Sequence, residues 1–242
     1  MLAARKIVCP LGLSITLVPP GEFAFYGGPG NRETASAGGT FQMISVPKIT
    51  DLHRETVARW HTEEVANPFE GFLQLVCEQH KFNYLLWHEE DIARSPDVGD
   101  ARIAQVKRAI DKYNQQRNDG IEKLDDAIIA MLRQYDVIPL LGATQNTETP
   151  GSAIDRLSIL SLRIYHMLEQ LDRADASAEH KEKVQNRLAI INEQHHDLSN
   201  SLQQLIDDIF AGKKLLKVYR QFKMYNDPSL NPYLYGATKS LA

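Results

Sequence analysis

The sequence predicts an all-α bundle of about five helices with long antiparallel arms, a disordered N-terminal leader and an aromatic C-terminal strap. From Thr50 onward, apolar residues recur at steps of three and four, the spacing that places side chains on one face of a helix. Breaks at Asn67-Pro68, Ser95-Pro96, Thr149-Pro150 and Gly212 divide that pattern into segments of helical length. No pair of alternating runs joined by a hairpin turn interrupts it.

The first helix is expected over 51–65, capped by Thr50 or Asp51 and ending before Asn67-Pro68. The second runs from Pro68 or Phe69 to Arg94 and stops at Ser95-Pro96, because a residue before proline is pushed out of the helical region. Asp100 can cap a third over 101–135, which buries Ile103, Ile110, Ile121, Leu124, Ile128 and Leu132. Gly120 is a soft point within it, costing about 1 kcal/mol relative to alanine.

A polar loop over 136–150 leads to a fourth helix, 152–173, that is apolar nearly all round (Ile154, Leu157, Leu160, Leu162, Ile164, Met167). Such a helix belongs at the centre of a bundle. The fifth repeats Val184, Leu188, Ile191, His195, Leu198, Leu202, Leu205 and Ile209, a coiled-coil-like seam in which His195 reads as a core histidine. It ends at Gly212, followed by Lys213 and Lys214, which suit the negative end of the helix dipole.

The ends differ from this body. Residues 1–49 read as a disordered leader, or as an over-extended reading frame with the protein starting at Met43. Residues 7–18 are apolar after Arg5 and Lys6, but Pro10 and Gly12 interrupt any signal-peptide pattern. Residues 50–235 are expected as one helical domain and 236–242 as a disordered tail.

A chain of 242 residues with 43% hydrophobic content can bury a sizeable core. A net charge of -4 and a pI near 6.1 argue against nucleic acid as the partner. No apolar run is long enough to cross a bilayer. Cys9 and Cys77 make no disulfide framework, so a reducing cytoplasm is expected.

The chemistry is expected where the second helix changes character. Phe69, Leu73 and Val76 set an apolar stripe that continues in phase as His80, Asn83, Trp87, Asp91 and Arg94. Buried polar groups left unpaired cost about 1–3 kcal/mol each, so this half of the stripe demands partners or a ligand. The third helix offers Lys107, Asp111, Asn114, Asn118 and Asp125 along one edge of its apolar stripe, with Arg117 near the other. An antiparallel hairpin about 96–99 would set these against the second helix. Two outcomes stay open: an interhelical salt-bridge ladder that fixes register, or a polar cleft that orients an anionic or polyhydroxyl ligand.

On the fourth helix, Asp155, Arg156, Ser158 and His166 interrupt apolar sequence, and Asp155 needs a partner from a neighbour such as Arg94 or Arg117. If the cleft is catalytic, Asp91, Asp111 or Asp155 would be the general base and His80 or His88 the proton shuttle. Arg94, Lys107 and Arg117 would then hold phosphate or carboxylate. No metal or other cofactor is expected, since His88-Glu89-Glu90-Asp91 points in four directions around a helix and only Glu193 and His196 show a Glu-x-x-His spacing. The tail sets Tyr219, Arg220, Lys223 and Tyr225 in an aromatic-basic strip, suited to a sugar or base face or to a strap across the bundle end.

Several blocks in order carry a resemblance: Leu86 to Arg94, Ile103 to Asp111, Asn114 to Asp119, Glu148 to Ser152, Asp155 to Met167 and Tyr219 to Pro228. Together they resemble an uncharacterised bacterial family, domain-of-unknown-function family 4254, over residues 51–235. The resemblance implies, by gene neighbourhood with glycosyltransferases, an accessory or ligand-binding role in surface-polysaccharide assembly. The partner it implies is a glycosyltransferase or its nucleotide-sugar or glycan substrate, and a homodimer is among the expected assemblies. An enzyme acting on a nucleotide-sugar or glycan precursor is the alternative. The resemblance carries over no catalytic residue.

Overall fold

The computed structural model describes residues 44–220 and 227–233. Contacts divide the chain after Gln42, and the described residues all lie in the unit Met43–Ala242. Five helices follow one another: α1 Val46–Trp60, α2 Gly71–Arg94, α3 Asp100–Gln134, α4 Pro150–Asp172 and α5 Ala178–Phe210. The chain is an all-α bundle. Its only extended pairing among the described residues is a two-residue parallel bridge of β1, Thr144–Gln145, with β2, Lys214–Leu215.

The periodic segments become helices, and the differences lie at their ends. α1 starts five residues before Asp51, within the stretch assigned to the leader; the rest of that leader, through residue 43, lies outside the described residues. Pro47 suits a first helical turn because its missing N–H would have no partner there. The Val46 N–H is instead met by Gln203 Oε1 of α5 at 2.9 Å. α1 also ends at Trp60 rather than Val65, and the Trp60 indole N–H donates to the Ala66 carbonyl at 3.1 Å, folding the connection back. α2 begins at Gly71, after Asn67 has tied the loop by accepting from Phe69 N and donating to the Gln74 carbonyl.

α4 is central and packs against all four other helices. Its N-terminus is capped twice. The Thr149 hydroxyl accepts from Ser152 N at 3.2 Å, and the buried Asp125 carboxylate of α3 accepts from Gly151 N at 2.7 Å. A Cβ on Gly151 would lie 2.6 Å from the Ile121 carbonyl and 2.8 Å from Asp125, so this close approach needs glycine. Gly120 serves a related purpose: α2 crosses α3 with Gln79 packed over it. The soft point in the sequence is a helix crossing.

The core gathers Ile49, Leu52, Trp60, Val76, Leu124, Ile128, Ile154, Leu157, Leu202 and Ile206 from all five helices. Burying each such side chain contributes about 1.5–3 kcal/mol. Cys77 lies inside this core, and burial pushes its thiol up to about 12. None of the described helices is long and apolar enough to cross a membrane.

Candidate functional site

The polar half of the α2 stripe meets α3 and α4 around one carboxylate. Asp155, 3% exposed, accepts from Gln79 Nε2 at 2.5 Å, Asn83 Nδ2 at 2.9 Å and Arg117 Nε at 2.7 Å. A second Arg117 nitrogen binds its other oxygen, so the pair is bidentate. Arg117 is the partner that Asp155 required. Its guanidinium is held further above its ordinary value, chiefly by the hydrogen bond to Asp155.

Below this pair lies a more deeply buried layer. His80 shares its Nδ1 with the Ser158 hydroxyl at 2.7 Å, and the Asn83 amide reaches the same oxygen at 2.8 Å. The His80 ring packs between His53, with centroids 4.6 Å apart, and Trp60 at 5.2 Å. Burial pulls the His80 imidazole down to about 3, opposed in part by the His53 backbone. His53 is lowered too, by burial first and then by His80 and His195, and neither of its ring nitrogens has a hydrogen-bond partner.

Toward solvent the same junction opens into a cleft of about 370 Å³. Asn83, Trp87, Glu90, Asp91 and Arg94 line it from α2, Asn114 and Arg117 from α3, and Ile159 and Leu162 form an apolar floor from α4. Leu86 completes the wall. Of the sequence-derived candidates, Asn83, Trp87, Asp91, Arg94, Asn114 and Arg117 therefore share one cavity.

The other candidates sit elsewhere. His80 is fully buried and Asp155 is enclosed by its four donor contacts, so neither lines the cleft. Lys107 and Asp111 bind each other at 2.7 Å on the exposed side of α3. Asn118, half-buried, is outside the lining. Tyr219 is 67% exposed with Lys217 Nζ 5.2 Å from its ring centroid, and Arg220 is engaged by Glu122 and Asp126 of α3. Lys223 and Tyr225 lie outside the described residues.

The interhelical ladder gives way to local pairing. Arg94 binds Glu90 one turn back at 2.7 Å and Lys107 binds Asp111 one turn on, while Arg102 and Glu89 approach only to 4.0 Å across the hairpin. A helix turn already places residues four apart within reach, so the intrahelical partner wins for long exposed side chains. Cross-helix pairing survives where burial removes the competition of water, at Arg117 and Asp155.

A second cluster escaped the sequence reading. His61 at the end of α1, His88 of α2 and His166 of α4 each offer a ring nitrogen, all within 4.8 Å of one another. His61 Nδ1 contacts the Val57 carbonyl at 2.6 Å and His166 Nδ1 contacts Glu169 Oε2 at 2.7 Å. The Nε2 atoms of all three are buried without a hydrogen-bond partner. His88 is lowered by burial and then by the two neighbouring imidazoles, with Asp91 and Glu169 opposing. Only His88 among the three was a candidate from sequence, since helices so distant in the chain give no local spacing to read.

No curated protein and no solved structure matches the chain. One family model does, over residues 73–218, which take in α2 from Leu73 onward, all of α3, α4 and α5, and every cleft-lining residue. The matched segment is more than half of the chain, and the chain belongs to the family described as "Protein of unknown function (DUF4254)".

Proposed function

We propose that the chain is a sugar-binding accessory factor in glycan assembly, whose cleft between α2, α3 and α4 takes an uncharged polyhydroxyl segment. The carrying observation is the cleft's composition: one indole, two amides and two acid–base sets over an apolar floor. Sugars present apolar C–H faces to aromatic rings and hydroxyls to amides and carboxylates, and this lining offers both. Glu90 and Asp91 balance Arg94 and Arg117 at the rim, and Asp155 behind adds a further negative charge. Both guanidiniums are engaged by acids, which favours the sugar over a diphosphate. The family resemblance supplies the glycan context, with a glycosyltransferase as partner and the cytoplasm as location.

The test is calorimetric titration of the full chain with uncharged oligosaccharides and with nucleotide sugars such as UDP-glucose. An oligosaccharide should bind in the micromolar to millimolar range, and Asn114→Ala should weaken it. Absence of binding across the panel, or binding indifferent to Asn114→Ala, defeats the proposal.

A second reading, an enzyme acting on a glycan precursor, is favoured by one observation. Asp91 lines the cleft, and with no hydrogen-bond or ion-pair partner among the described residues its carboxylate is open to take a proton from a molecule bound there. In that reading Asp91→Asn abolishes turnover of a bound glycan precursor while leaving its binding intact.

A further inference from the structure

We propose that His61, His88 and His166 form a divalent transition-metal site of the zinc class with one coordination position open to water or substrate. The proposal does not depend on what occupies the cleft. Its first support is convergence: three imidazoles from three helices bring ring nitrogens within 4.8 Å of one another. Zinc–nitrogen bonds of about 2.0–2.1 Å in a tetrahedron place ligand nitrogens about 3.4 Å apart. A bound ion would draw the ring nitrogens up to about 1.4 Å closer together.

The second support is which nitrogen keeps a free lone pair. A backbone carbonyl cannot donate, so the contact of His61 Nδ1 with the Val57 carbonyl puts the proton on Nδ1 and the lone pair on Nε2. The Glu169 carboxylate fixes His166 in the same tautomer. A ligating histidine characteristically gives its other N–H to a carbonyl or a carboxylate, which holds the ring and raises its basicity. Both arrangements are already in place.

The third support is the unmet demand. His61 Nε2, His88 Nε2 and His166 Nε2 are each buried and without a hydrogen-bond partner. A shared cation would satisfy all three at once, whereas one imidazole cannot supply protons to both others. The rings are also held by their neighbours: His61 stacks on Tyr165 at 4.2 Å, and His166 stacks on Trp87 at 4.8 Å.

The ligand set selects the metal. Neutral imidazoles suit zinc, copper and nickel, while magnesium and calcium require oxygen. The cluster among the described residues holds three histidines and no fourth ligand. Three protein ligands with an open position are the pattern of a metal that activates water or polarises a bound group.

The experiment is a Co²⁺ titration of the tag-free, chelator-treated full chain, followed by displacement with Zn²⁺. Four-coordinate cobalt should give strong visible absorption that saturates at one equivalent and disappears on adding zinc. His88→Ala and His166→Ala should abolish it, and His196→Ala, altering an exposed histidine elsewhere, should not. Glu169→Gln should weaken affinity by about 10- to 100-fold at unchanged helicity. No saturable absorption, or loss with His196→Ala alone, overturns the site. Should the histidine variants unfold, Glu169→Gln decides: unchanged affinity in that variant overturns the proposal.

Discussion

Trp87 and His166 stack almost face to face, with ring centroids 4.8 Å apart and planes 9° from parallel. The indole belongs to the cleft lining and the imidazole to the histidine cluster, so one ring pair separates the two candidate sites. Aromatic stacking of this kind contributes about 0.5–1.5 kcal/mol beyond the area it buries. Whatever orders one ring constrains the other.

Trp87→Leu is therefore expected to act on both sides. Loss of the aromatic wall should weaken oligosaccharide binding roughly fivefold, equivalent to about 1 kcal/mol. Loss of the stack should also lower the melting temperature, because His166 no longer has a flat neighbour. Calorimetry and a thermal melt on the same preparation check this. Wild-type affinity in the variant would remove Trp87 from the binding surface.

Arg117→Ala leaves Asp155 almost fully buried with two amide donors and no countercharge. Breaking a buried pair costs about 3–5 kcal/mol, and the quarter exposure of Arg117 places this one near 3 kcal/mol. Arg117→Ala combined with Asp155→Asn should lose less than the two single variants added together, since the second change removes the charge stranded by the first. Urea unfolding of the four proteins in the cycle measures it. A coupling near zero would mean the pair is held open to solvent.

These relationships were legible to different degrees. The steps of three and four put His80 and Asn83 in the α2 core stripe, and both are buried. The same stripe emerges at Asp91 and Arg94, which are exposed. Periodicity specifies a face of a helix but not where neighbouring helices stop covering it. The need of Asp155 for an arginine was readable because a charge in apolar sequence must be met. The choice of Lys107 for Asp111 was not, because partners within a helix and across a hairpin look alike in sequence. The meeting of His61, His88 and His166 was least legible: it depends on how α1, α2 and α4 cross, and residues so far apart in the chain leave no local spacing to read.

Acid should weaken the fold earlier than carboxylate protonation alone would. Burial holds the His80 imidazole near 3 in the folded chain, against an ordinary value of 6.5, and His53 beside it is lowered as well. Between those limits the unfolded chain binds a proton that the folded chain excludes, so stability is complete above about pH 6.5 and falls as pH drops below it. At pH 5 the loss from His80 is about 2 kcal/mol, and His53 adds to it in the same direction. His80→Gln, which retains a group able to reach Ser158, should melt lower than wild type at pH 7 yet lose less between pH 7 and pH 5. Melting curves across that range decide the matter: parallel slopes for the two proteins would show that the buried imidazole is not the group being protonated.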